Sequence, residues 1–159
     1  RFLQPAEGGT VAMARFAPVS PSFWTDPKVR AWNDAQQKLG LYLLTTPHGN
    51  LQGIFRLSIA YLADDLRWEV RKSRTALARL IKDGFVEYDE DAQVCLLPNA
   101  LAYYQPKTKP QIKGALAVLA NVPETPLKSR FMECAERHGA VELVDALTNG
   151  MEEGEVSHA

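Results

Sequence analysis

Leu66–Lys82 reads LRWEVRKSRTALARLIK. Six basic residues (Arg67, Arg71, Lys72, Arg74, Arg79, Lys82) stand against one acid, Glu69, so this stretch carries +5 in a chain of formal net charge -1. Removing that +5 leaves -6 on the remaining residues. A basic segment on an acidic body is the electrostatic footprint expected of a surface that meets phosphates. At about 100° per residue, Val70, Ser73, Leu77, Leu80 and Ile81 gather on one side of a helix. Arg71, Lys72, Thr75, Arg79 and Lys82 gather on the other, with Arg74 at the boundary. The segment reads as a helix with a buried stripe and a basic, hydroxyl-bearing face.

Immediately upstream, Ser58–Asp65 (SIAYLADD) is a second short helical pattern with Ser58 as its N-cap. Ile59, Leu62 and Leu66 can pack against the stripe, and a tight turn at Leu66–Arg67–Trp68 gives helix-turn-helix spacing. Downstream, Asp83–Gly84 stops the basic helix, with Gly84 as the left-handed terminator. Phe85–Tyr88 (FVEY), an acidic turn and Val94–Leu97 (VCLL) read as a hairpin, and Gly53–Leu57 (GIFRL) is a strand that can pair with it. Helix, strand, helix, basic helix, hairpin is the order of a winged helix. The expected fold class is therefore α+β, mainly helical, a winged helix-turn-helix followed by a short helical C-terminal subdomain.

Charged helix faces are commonly just solvated, so the footprint gains force only from agreement with motif and fold. The wing tip pulls the other way. Glu87, Asp89, Glu90 and Asp91 would repel a phosphate backbone and release no counterions from it. The expectation is that the wing does not touch DNA. An acidic wing beside a basic helix also suits self-association, one subunit's wing meeting another's helix.

An ordered series of short motifs supports a resemblance. It runs through FWTDPKVRAW (Phe23–Trp32), KLGLYLLTTP (Lys38–Pro47), NLQGIFRLSIAYLADDL (Asn50–Leu66) and LIKDGFVEYDED (Leu80–Asp91), then the strand into Pro98–Asn99. From Phe23 to about Tyr103 the chain resembles the winged-helix domain of phage replication-initiation proteins, the DnaD-like replisome organisers. Asn121–Phe131 (NVPETPLKSRF) is similar to a linker in such proteins. The resemblance implies origin or single-stranded DNA binding and recruitment of a replicative helicase or its loader. It carries over no catalytic residue and no individual DNA contact. It also implies oligomerisation, because the winged helix of bacterial DnaD-like proteins is linked with it. The chain is short for the two-domain arrangement of such proteins.

With 159 residues and 46% hydrophobic content, the chain supplies a single core easily. Cys95 and Cys134 lie in apolar contexts and read as small buried hydrophobes in a reducing compartment, a disulfide between them being the alternative. No signal peptide is read, and the apolar runs fall short of the roughly 20 residues of a membrane span. The expectation is a cytoplasmic protein of a bacterial host, phage-encoded or not, with no membrane partner.

Other chemistry is poorly supported. His48, His138 and His158 have no metal-ligand spacing with the cysteines, so no zinc site and no cofactor are expected. Asp64–Asp65 do not face each other on a helix and read as capping or screening the basic helix. No phosphate-binding glycine loop is present, since Gly8–Gly9 lacks the following Lys-Ser/Thr. The reading is not an enzyme.

Residues 1–15 read as a mobile extension, in which Met13 is a candidate natural start. Residues 16–104 read as the winged helix, 105–150 as linker and C-terminal helices, and 151–159 as a flexible tail. Phe16, Phe23 and Trp24 are expected to anchor the chain to the core. Asp34 with Gln37 fits a capping box before a helix whose Leu39, Leu41, Tyr42, Leu43 and Leu44 are apolar almost all round. Gln105–Gln111 reads as a Pro/Lys linker, Ile112–Ala120 as a helix, Thr125 and Pro126 as the start of a helix to Gly139, and Val141–Leu147 as a last short helix. Leu116, Leu119, Leu127, Phe131, Val141, Leu143, Val144 and Leu147 would form a small subdomain or pack back on the winged helix.

The candidate DNA contacts are Arg67, Arg71, Lys72, Arg74, Thr75, Arg79 and Lys82. Arg71, Lys72 and Thr75 are placed for base edges and the other basic residues for phosphate. Lys107, Lys109 and Lys113 form a second basic track. Trp68, Tyr103 and Tyr104 are aromatics that could stack single-strand bases, although packing is the preferred reading. The functional expectation is non-catalytic DNA binding in replication initiation. The alternatives are an oligomerisation or interaction module and a winged-helix transcriptional regulator, since fold alone does not separate them.

Overall fold

The computed structural model describes residues 16–156, with side chains described through Gly150. The extension expected at residues 1–15 lies outside the described residues, as do 157–159. The chain is α+β and mainly helical, with one three-stranded antiparallel sheet among the described residues. A 3-10 turn (Pro21–Trp24) leads into α1 (Pro27–Ala31), α2 (Asp34–Thr45), β1 (Ile54–Arg56), α3 (Ile59–Leu66) and α4 (Val70–Lys82). Then come β2 (Glu87–Asp89), β3 (Val94–Leu96), α5 (Ala100–Tyr103), α6 (Lys109–Ala120), α7 (Leu127–Arg137) and α8 (Val141–Val156).

Local chemistry sets the helix ends. Ser58 Oγ accepts the Tyr61 N–H at 3.1 Å and starts α3. The helix closes at Arg67, which takes the left-handed conformation (φ 56°). There the Arg67 N–H bonds the Asp64 carbonyl and the Trp68 N–H bonds the Ala63 carbonyl, satisfying two orphaned acceptors. The capping box before α2 is one residue earlier than the sequence reading placed it. Asn33 Oδ1 accepts the Gln36 N–H at 2.9 Å, and Gln36 Oε1 accepts the Asn33 N–H at 3.3 Å. Gly40 lies within α2 where the Trp32 ring packs against the helix: an added Cβ would lie 2.8 Å from that ring. That ring stands edge-on to Phe85 at 5.0 Å, and its Nε1 donates to Asp83 Oδ2 at 2.8 Å. Gln36 Nε2 donates to the same oxygen, so the start of α2 is tied to the end of α4.

Strand β3 is central, in the order β1-β3-β2, with Ile54 opposite Leu96 and Glu87 opposite the same Leu96. Period-2 alternation divides the core. Phe55 and Cys95 face a cluster with Trp32, Leu39, Leu43, Leu77 and Leu80, while Ile54, Val94 and Leu96 face Leu101, Phe131, Cys134 and Leu143. All three residues of β3 are buried, which explains its unbroken apolar run. The C-terminal helices thus pack back on the sheet. The cysteines lie in opposite clusters, free and buried, with no disulfide between them.

Burial pushes the Cys95 thiol up to about 12, and burial chiefly pushes the Tyr88 hydroxyl, which donates to the Leu57 carbonyl, up to about 12 as well. Unfolded, these groups ionise near 9.0 and 10.0. Their contribution to stability is full below about pH 9 and is lost as pH rises towards 12. A urea midpoint that falls steadily between pH 9 and 12 is the expected result, measured by circular dichroism.

Several expectations are corrected. Phe23 is buried, but Phe16 and Trp24 are exposed. The basic helix begins at Val70, leaving Arg67 in the turn. Its buried arc is Ser73, Ala76, Leu77 and Leu80, narrower than the sequence stripe, because α2 and α3 cover only that side; Val70 and Ile81 are 48% and 41% exposed. The hairpin strands are shorter than read, and α5 is an unanticipated single turn. Helix α6 starts at Lys109, inside the expected linker, because Thr108 and Gln111 form a capping box with Pro110 in the first turn. Helix α7 starts at Leu127 rather than at Pro126, although Thr125 Oγ1 does accept the Leu127 N–H. Val141 is exposed, and α8 continues to Val156 through the expected tail, because Gly150 is accommodated within the helix. Asp65 does not screen α4; it accepts the Tyr42 hydroxyl at 2.6 Å and meets His48 Nε2 at 3.2 Å.

Candidate nucleic-acid interface

Helix α4 carries its apolar arc against α2 and α3 and turns its other side outward. Glu69, Arg71, Lys72, Thr75, Ala76 and Arg79, with Ala35 at the start of α2, line one shallow groove of about 330 Å³. Four of the seven candidate DNA contacts are therefore brought together. Among the described residues, Arg67, Arg71, Arg79 and Lys82 have no carboxylate within ion-pair distance of their side chains. Thr75 Oγ1 donates to the Arg71 carbonyl at 3.0 Å, which leaves its oxygen free to accept. Lys82 is exposed in the last turn of α4, beyond the groove.

Three candidates are placed otherwise. Arg74 forms an ion pair with Glu90 of the hairpin. Arg67 stands at the left-handed turn between α3 and α4, where a residue with a Cβ costs about 1–2 kcal/mol. Arg67→Gly is expected to raise stability by about 0.5–1 kcal/mol in urea titration while removing one cation. Trp68 is half-buried against the core, with Lys72 Nζ 4.6 Å and Lys38 Nζ 5.4 Å from its ring centroid, so packing prevails over base stacking there. Lys38 also donates to the Leu66 carbonyl at 3.3 Å, which tightens the same turn.

The acidic hairpin is engaged within its own chain. Glu87 pairs with Arg130 of α7 at 2.9 Å, Asp89 accepts the Thr125 hydroxyl, and Glu90 holds Arg74. The Thr125 hydrogen bond, with backbone N–H groups of Ala92 and Asp91, holds the Asp89 carboxyl below its ordinary range. Glu133 and Glu87 raise the Arg130 guanidinium still further above its usual range. Asp91 alone of the four acids is exposed without a side-chain partner among the described residues.

Lys107, Lys109 and Lys113 line a separate groove of about 380 Å³ with Ile112, Leu116 and Glu142. It belongs to α6 and α8, which pack on the opposite side of the sheet from α4. Tyr103 is 83% exposed at the end of α5, and Tyr104 is half-buried. Sequence reasoning missed the two α2 contributions, the groove wall at Ala35 and the Lys38 contact on Trp68. Neither has a local signature, because each depends on how α2 crosses α4.

Among the described residues, no group of three or more His, Cys, Asp or Glu side chains is placed to hold a metal ion. No helix among them is long and apolar enough to cross a membrane. No known protein family, characterised protein or solved structure matches the chain.

Proposed function

We propose that this chain is a non-catalytic winged-helix DNA-binding protein, α3 and α4 forming the helix-turn-helix and β2–β3 the wing. The observation that carries the reading is the outward face of α4. Among the described residues, Arg71 and Arg79 stand there without an ion-pair partner, with Lys72 and Thr75 between them, on a chain of net negative charge. Self-repelling cations without carboxylate partners are stabilised by an external polyanion. Among the described residues, the C-terminal helices pack chiefly on the other side of the sheet from α4, which favours DNA over a purely structural use of the helix. Three of the four acids that could have met a second subunit's α4, Glu90, Glu87 and Asp89, are held by Arg74, Arg130 and Thr125, which weakens the wing-to-helix mode of self-association.

The assignment to replication rests on the motif series between Phe23 and Tyr103 and its resemblance to DnaD-like phage initiation proteins. On that reading the protein binds origin DNA in a bacterial cytoplasm, as a homo-oligomer, and recruits a replicative helicase or its loader. A transcriptional regulator would use the same face. The test is fluorescence anisotropy with random duplex and single-stranded oligonucleotides across a salt series. Arg79→Ala is expected to weaken all duplex sequences alike and to flatten the salt slope by about 1. Unchanged binding and salt dependence would contradict the assignment of this face.

A further inference from the structure

Glu69 is, among the described residues, the one carboxylate lining the basic groove. It occupies the N-cap position of α4 in extended conformation (ψ 147°), yet its side chain makes no capping hydrogen bond. Ser, Thr, Asp and Asn are the residues that cap helices well, so glutamate forgoes that stabilisation here. It forms no ion pair among the described residues either, although Arg71 and Lys72 follow within three residues. Lys72 is instead drawn over the Trp68 ring. An exposed, unpaired carboxylate in a phosphate-facing groove repels any DNA backbone and so lowers indiscriminate affinity. A carboxylate near a helix N-terminus does interact favourably with the macrodipole, and that is the purely structural explanation to be beaten.

Resting on the DNA-binding reading above, we propose that Glu69 is a specificity-determining residue that selects cytosine. Its carboxylate would accept a hydrogen bond from the cytosine N4 amino group in the major groove, beside Arg71 and with Arg79 on the phosphates. Residues at the N-terminal end of a recognition helix are those that reach base edges. Arg71, Lys72 and Arg79 supply donors to the groove, whereas Glu69 supplies only acceptors. The major-groove edge offers amino donors on cytosine and adenine alone. Adenine presents its N7 acceptor beside the amino group, which a carboxylate would meet as a like partial charge. Cytosine has no acceptor of its own beside N4 on that edge. The fit is therefore to cytosine, and the carboxylate turns a general polyanion surface into a selective one.

The test is selection of duplexes with a randomised central segment by the wild-type chain, Glu69→Gln and Glu69→Ala, followed by sequencing. The wild type is expected to enrich cytosine at one position of the site by about tenfold. Glutamine pairs bidentately with adenine N6 and N7, so Glu69→Gln is expected to shift that same position from cytosine to adenine. A switched preference cannot come from a misfolded variant. Glu69→Ala is expected to lose preference there alone and to hold random duplex about threefold more tightly, like-charge repulsion having been removed. Identical base profiles from all three proteins would overturn the proposal and leave Glu69 as a partner of the helix dipole, while DNA binding itself would stand. Failure of the wild type to retain any duplex at low salt would overturn the DNA-binding reading and this proposal with it.

Discussion

Replacing both Arg71 and Arg79 with glutamate is expected to lower duplex DNA affinity on the order of a hundredfold at moderate salt, and to reduce the salt slope by about 2. Both side chains line the α4 groove, and among the described residues neither has an ion-pair partner to lose. Surface substitutions of that kind change stability within about 0.5 kcal/mol, so the denaturation midpoint is expected to stay in place. Anisotropy titration with one duplex at several salt concentrations checks the first part, and a urea titration the second. Lys113→Glu, on the far side of the sheet, serves as the matched control. If it weakened duplex binding as much as the double variant, the DNA would be meeting α6 instead of α4.

Phe131→Ala is expected to cost about 3–5 kcal/mol, enough to threaten the whole fold. Phe131 is buried in the cluster that covers Ile54, Val94 and Leu96, so its loss opens a cavity against the sheet. The consequence extends across it, because strands β1 and β3 separate that cluster from the one holding Trp32, Leu80 and Cys95. The three tryptophans, Trp24, Trp32 and Trp68, all lie on the N-terminal side of the chain. Tryptophan fluorescence and far-ultraviolet circular dichroism are therefore expected to report one coincident transition, shifted equally in the variant. Loss of helical signal before any change in fluorescence would mean that α6–α8 unfold alone.

The N-terminal half was legible because its signals are local. Ser58 caps α3, the charge pattern of Leu66–Lys82 defines the outward face of α4, and Gly84 ends that helix in the left-handed conformation. Gly84 N–H and Phe85 N–H close on the Ile81 and Leu80 carbonyls, as the sequence order Asp-Gly-Phe anticipates. What escaped the sequence depends on tertiary contact. Val70 and Ile81 carry the right period but stay about half exposed, since α2 and α3 cover a narrower arc. The partners of the acidic hairpin within the chain had no local signature, because Arg74, Thr125 and Arg130 lie 16, 36 and 43 residues from the acids they hold. For the same reason Arg74 read as a DNA contact, whereas Glu90 occupies it. The C-terminal boundary failed on a glycine. Gly150 reads as a stop after Asn149, yet α8 passes through it.

Whether DNA meets the outward face of α4 is decided by backbone amide chemical-shift mapping of the chain with a short duplex. At 17.7 kDa the chain suits residue-resolved spectra. The largest shifts are expected at Glu69–Thr75 and at Arg79, with little change in Glu87–Asp91 and in α6. Shifts concentrated on Lys107–Lys113, or no residue-specific shifts at low salt, would contradict it.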